Sequence, residues 1–145
     1  MHRMFLLRKR HVSPARVLPL CLLVVMHCAL SGTVVDHGSF ETKLTDMRLK
    51  DRRGLRFYYG GSVRVLSLSH INTVVIDPSK KMTVANELYY SAEITLKDGT
   101  RIKSLDRNRD KLTDAFISVQ DVMTGRNEKD FFTIGLENVL RITVR

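Results

Sequence analysis

The chain has no tryptophan, only two cysteines and three prolines, and no acidic residue before Asp36. Without tryptophan it lacks the strongest of the aromatic platforms on which single-stranded nucleic acids stack. Two cysteines, Cys21 and Cys28, are too few for a disulfide framework or a four-cysteine zinc site. The prolines are Pro14, Pro19 and Pro78, so no proline-rich linker divides the 145 residues. Apolar runs are short as well. The longest, Val17 to Leu30, spans 14 residues, or roughly 21 Å as a helix against the ~30 Å of a bilayer's hydrocarbon core. Signatures of common enzymes (G-x-S-x-G, H-E-x-x-H and phosphate-cradling glycine loops) are also missing.

What is present begins with an address. Arg3, Arg8, Lys9, Arg10 and Arg16 precede the apolar run Val17 to Leu30, and a small residue, Ser31, closes it. A basic head, a short apolar segment and a small-residue exit form a secretory signal pattern. It predicts a signal helix over residues 1–31, cleavage between Ser31 and Gly32, and a single β-rich domain over 32–145. Retention of the segment as a signal-anchor is the alternative, and it would tether the domain to the membrane. Lipidation at Cys28 is a further alternative, but His27 stands where the motif needs a small residue. Cleavage would change the charge. The whole chain carries 24 Lys+Arg against 15 Asp+Glu, a formal +9. Removing the five basic residues of the head leaves 19 against 15, or +4. Most of the apparent polyanion-binding signature therefore belongs to translocation, and export puts nucleic acid out of reach as a partner.

Strand signals dominate the remainder. Leu55 to Tyr59 and Ser62 to Leu68 flank Gly60-Gly61, and Leu88 to Leu96 and Arg101 to Leu105 flank a turn containing Asp98-Gly99. Both pairs suit the positive φ values of tight hairpins. Val74 to Ile76 reads as a strand stopped by Asp77-Pro78. Phe116 to Val119 reads as a strand despite a competing helical spacing, and Asp130 to Leu136 with Leu140 to Val144 form a terminal pair. Leu66 to Ile76 and Ile134 to Val144 share apolar positions at a constant offset of 68, an internal repeat. The expected fold is mainly β, a small antiparallel barrel or sandwich with a possible pseudo-duplication.

Ile94 to Ile102, with its apolar-x-Leu-x-Asp-Gly pattern, followed by Phe131 to Val144, resembles small β-domains of exported bacterial proteins, mostly of unknown function. The resemblance implies a small barrel or sandwich and brings no catalytic residue with it.

Few residues suggest chemistry. Asp106, Asn108 and Asp110 imitate the start of a calcium loop. The pattern then fails, because Lys111 replaces the required glycine and Ile117 the bidentate glutamate. Arg48, Lys50, Arg52, Arg53 and Arg56 precede Phe57, Tyr58 and Tyr59, and the exposed turn offers Arg52, Arg53 and Tyr58 as candidate partner-binding residues. Alternation puts Leu55, Phe57 and Tyr59 on a core face. His70 is matched by Asn138 in the repeat, which suggests a turn hydrogen bond. No cofactor is expected. The function read from the sequence is that of an exported, envelope-associated protein with a non-enzymatic binding or structural role. Strand edges near Leu88 to Leu96 or Leu140 to Val144 would meet an unidentified protein or envelope partner. The alternatives are a carboxylate-dependent hydrolase of envelope polymers using Asp98, Asp106 or Asp110, and a small-ligand carrier.

Overall fold

In a computed structural model of the chain, residues 29–105, 112–128 and 130–145 are described. Cys28, the bulk of the expected signal segment, and Asp106, Asn108 and Asp110 lie outside them. Among the described residues eleven strands follow one another: β1 (Gly32–Asp36), β2 (Glu41–Leu49), β3 (Leu55–Tyr59), β4 (Ser62–Leu66), β5 (Ile71–Val84), β6 (Glu87–Leu96), β7 (Arg101–Leu105), β8 (Leu112–Ser118), β9 (Val122–Asn127), β10 (Asp130–Gly135) and β11 (Val139–Val144). They form one antiparallel sheet in the order β10-β9-β2-β1-β11-β5-β6-β7-β8-β3-β4. The sheet curls into a half-barrel around a single apolar cluster that includes Val34, Leu44, Leu55, Ile71, Val74, Ile94, Ile117, Met123, Leu136 and Ile142. The mainly β, antiparallel architecture expected from the sequence is the one adopted.

Turn chemistry sets the hairpins. Gly60 and Gly61 have φ of 56° and 88° and place Tyr59 opposite Ser62. Gly99, at φ 85°, closes the β6–β7 turn. Phe116 and Ile117 lie in β8, as alternation suggests. Asp77-Pro78 does not stop β5, contrary to expectation. The strand continues to Val84, with a shift of register between Asp77 and Lys81. Pro78 sits inside that bulge, where its missing N–H costs no ladder bond. The Asp77 carboxylate accepts hydrogen bonds from the Ser79 backbone and hydroxyl, which hold it below its ordinary value.

The repeat is realised as a pseudo-two-fold axis. β5 and β11 pair with Val74 opposite Ile142, residues that are themselves 68 apart, so the rung maps onto itself. Each copy enters its strand through a one-turn 3-10 helix, Leu68–His70 or Leu136–Asn138. The correspondence then extends beyond the repeated sequence. Leu55 faces Leu66, and Met123 faces Ile134 at the same offset. Val74 pairs with Ile94, and Ile142 with Val34. The His37 N–H donates to the Asn138 carbonyl at 3.1 Å and the Lys97 N–H to the His70 carbonyl at 3.0 Å. His70 and Asn138 thus serve the turn through their backbone carbonyls, and the Asn138 amide also donates to Glu137 Oε1 at 3.4 Å. Ser39, at φ 65°, occupies the place of Gly99.

The halves differ in strand length, β5 and β6 having 14 and 10 residues against 6 and 5 in β11 and β1, and in the continuity of one strand. β2 runs unbroken past a bulge between Thr45 and Arg48, pairing first with β1 and then with β9. Its counterpart is divided into β7 and β8. The chain closes on itself at the β1–β11 rungs. Gly32 pairs with Val144, the Arg145 N–H donates to the Ser31 carbonyl at 2.8 Å, and the Met47 N–H donates to the Leu30 carbonyl at 2.8 Å.

Candidate functional site

Two neighbouring features at the β2–β3 turn concentrate the charged chemistry. The first is an ion cluster around Arg56 on β3. Alternation turns Arg56 away from the Leu55 and Phe57 face, and its guanidinium is nearly enclosed, with the side chain 13% exposed. One Nη donates to both Glu87 oxygens at 2.7 and 2.8 Å. The other donates to Ser118 Oγ at 2.9 Å and Asp121 Oδ1 at 3.1 Å, and Nε donates to Asp121 Oδ2 at 3.3 Å. Tyr89 Oη donates to Glu87 Oε2 at 3.0 Å. Burial alone would pull the guanidinium down, but hydrogen bonds to Glu87 and Asp121 outweigh it and raise Arg56 above its ordinary value. The Arg56 bonds likewise hold Glu87 below the ordinary glutamate value. Burial first, and then Glu87, push Tyr89 up. Arg56 thus bridges both carboxylates, an arrangement that stabilises charge.

The second feature is an open cleft of about 550 Å³ at the end of the sheet that terminates in β10. Arg48, Lys50, Arg52 and Arg53, with Asp51, form one wall. Phe131 and Thr133 of β10 form the other, and the buried Leu49 and Thr124 lie beneath. Arg52 leans out of the wall to bring Nε within 3.5 Å of Asp121, joining the cleft to the ion cluster. Among the described residues Arg48, Lys50 and Arg53 have no acidic partner. Asp51 is held at φ 57°, a left-handed turn that aspartate tolerates better than most residues.

The pseudo-two-fold explains why only one half is open. Thr124 corresponds to Arg56 by the offset of 68. In one half Arg56 reaches from β3 to Ser118 of β8 and fills the space with a neutralised cluster. In the other the residue types are exchanged: Thr124 of β9 faces Arg48 of β2, whose side chain points to solvent. A hydroxyl has replaced a guanidinium, and the vacated volume is the cleft.

The expected partner-binding residues are divided by this geometry. Arg52 and Arg53 line the cleft; Tyr58 lies on β3, opposite Val63 and Phe116, and does not. Asp98 sits exposed in the β6–β7 turn, where hydrogen bonds from the Thr100 backbone and side chain lower its carboxyl below the ordinary value. Its role there is that of a turn residue. The expected edges are corrected. β6 lies between β5 and β7, and β11 between β1 and β5, so both are interior strands. Among the described residues the free edges are β4 and β10, because the last strand is claimed on both sides by β1 and β5. The sequence reading missed Glu87, Asp121 and Phe131 altogether; the 67% exposure of Phe131 beside a basic turn is visible only once β9–β10 is placed next to β2.

Among the described residues no group of three His, Cys, Asp or Glu side chains is placed to hold a metal ion, and no helix is long and apolar enough to cross a membrane. No protein-family model matches the chain, and no curated protein or solved structure matches it.

Proposed function

We propose that the chain is an exported, envelope-associated binding module without catalysis of its own, and that its cleft captures an acidic protein partner. One observation carries the reading: Arg48, Lys50 and Arg53 converge on an open cleft without an acidic partner among the described residues, while the equivalent place in the other half is neutralised. Unpaired cations beside low-dielectric walls attract acidic groups and speed their encounter. The exposed Phe131 ring adds apolar contact of the kind that anchors interfaces. Support for export is the basic head followed by a short apolar run and a small-residue exit.

Titration of the purified protein with fluorescent poly-L-glutamate tests the binding reading. Binding should weaken as salt rises and fall at least about tenfold in Arg48→Glu/Arg53→Glu, a difference of ~1.4 kcal/mol. Equal affinity for wild type and variant would refute it. N-terminal sequencing of the protein from its native host tests export separately: a start near Gly32 is expected, and an intact Met1 contradicts cleavage.

A further inference from the structure

We propose that Leu30 and Ser31 are working parts of the folded domain, so that the Ser31–Gly32 bond stays intact in the exported protein and any cut of the N-terminal segment falls ahead of Leu30. This goes beyond the binding reading. It narrows the start expected near Gly32 to Leu30 or an earlier residue, and it rests on export only for there being a cut at all.

The small-residue exit Ala29-Leu30-Ser31 is what points to cleavage after Ser31. The fold uses the same residues. The Leu30 carbonyl accepts the Met47 N–H of β2 at 2.8 Å, and the Ser31 carbonyl accepts the Arg145 N–H, just past β11, at 2.8 Å. The Leu30 side chain is partly buried and packs against the core. Gly32 follows directly, buried and paired with Leu44 on one side and Val144 on the other. It lies so close to the Thr143 carbonyl and the Met47 methyl that even a Cβ would not fit.

A cut after Ser31 would remove two acceptors and the apolar contact of Leu30, taking from the Met47 and Arg145 N–H groups the partners they have. It would also leave an α-ammonium on Gly32, between two strands, where a charge withdrawn from water is unfavourable. Once the domain has folded, the bond lies within the sheet and not in the exposed loop tips that proteases favour. The pseudo-two-fold gives an independent argument. Val34 faces Ile142 as Ile94 faces Val74, so Val34 corresponds to Ile94, and by the same count Leu30 to Tyr90 and Ser31 to Ser91. Tyr90 and Ser91 lie inside β6, which begins at Glu87. Tyr90, like Leu30, is partly buried against the core. One half therefore builds its strand through the positions of Leu30 and Ser31, and a domain cut at Gly32 would begin the equivalent strand short of them.

The test takes the protein as its native host produces it and combines N-terminal sequencing with amide hydrogen exchange read by NMR. The expected result is a start at Leu30 or earlier, with the Met47 and Arg145 amides exchanging at least about tenfold more slowly than in an unstructured chain. A start at Gly32 or later would overturn the inference. So would an earlier start with both amides exchanging freely, because Leu30 and Ser31 would then be present without serving the sheet. An intact Met1 with both amides protected would uphold the role of Leu30 and Ser31 while contradicting cleavage, so the two readings fail separately.

Discussion

Arg56→Met isolates the worth of the ion cluster. Methionine preserves much of the apolar stem and removes the guanidinium, so packing is largely held constant. The loss falls mainly on Asp121, whose side chain is 3% exposed and retains only Arg52 at 3.5 Å. Removing one partner of a buried ion pair typically costs about 3–5 kcal/mol, because the remaining charge stays desolvated. Two features move the value toward the lower end. Glu87 is 30% exposed and can recover water, and it keeps its hydrogen bond from Tyr89. The expected destabilisation is therefore about 3 kcal/mol, equivalent to a Tm decrease of about 10–15 °C for a domain of this size. Urea unfolding followed by far-UV circular dichroism and tyrosine fluorescence measures it. Asp121→Asn should couple to it, with the double variant less destabilised than the sum of the singles by about 1–3 kcal/mol. A loss below about 0.5 kcal/mol for Arg56→Met, or strict additivity, would show that the cluster is not the internal support described.

The same cluster sets a pH dependence: the folded Glu87 carboxyl is held below its ordinary value by Arg56, so its contribution is present above the usual glutamate range near ~4.3 and is lost as pH falls through the folded value. Stability curves of wild type and Arg56→Met, measured against pH, should differ most near neutrality and draw together in acid. Gly54→Ala should cost about 2 kcal/mol or more because the added methyl meets the Leu66 carbonyl, whereas Gly60→Ala meets nothing and should cost only about 1 kcal/mol, from its positive φ; denaturant midpoints distinguish them. Pro78→Ala should change stability by less than about 1 kcal/mol, since the bulge requires no N–H from that position. A circular permutant joining Arg145 to Ser31 through a short linker and opened between Ala85 and Asn86 should keep the native far-UV spectrum, because the joined ends are already hydrogen-bonded neighbours; loss of the spectrum would contradict the β1–β11 pairing.

Features set by neighbouring residues were legible from the sequence. The Gly60-Gly61 and Asp98-Gly99 turns require positive φ, and that requirement is written in residue type. The offset of 68 was legible too, since matching apolar positions record matching core contacts. Strand order was not. The C-terminal strand looks like an edge until β1 is known to occupy its other side, a pairing between opposite ends of the chain. Arg56 reads as one more cation in a solvated cluster. Its partners lie 31 and 65 residues away, at Glu87 and Asp121, and nothing near Arg56 marks them. Pro78 misled for a related reason: proline forbids a ladder bond, but a bulge dispenses with that bond. The cleft is legible only as a difference between the halves, at Thr124 where symmetry would place an arginine.

The pairing of Gly32 with Val144 also constrains the order of assembly. These residues are separated by 112 positions along the chain, so this contact forms late compared with the local hairpins. As the polypeptide emerges from its N-terminus, the β1–β2 hairpin can fold at once, but its two outer sides await β11 and β9. Until the last quarter of the chain arrives, the hairpin carries two unpaired edges and the buried faces of Val34, Leu44 and Met47 lack their covering. That interval is the period of greatest exposure to aggregation. A chain delivered slowly across a membrane would spend it waiting for its own C-terminus.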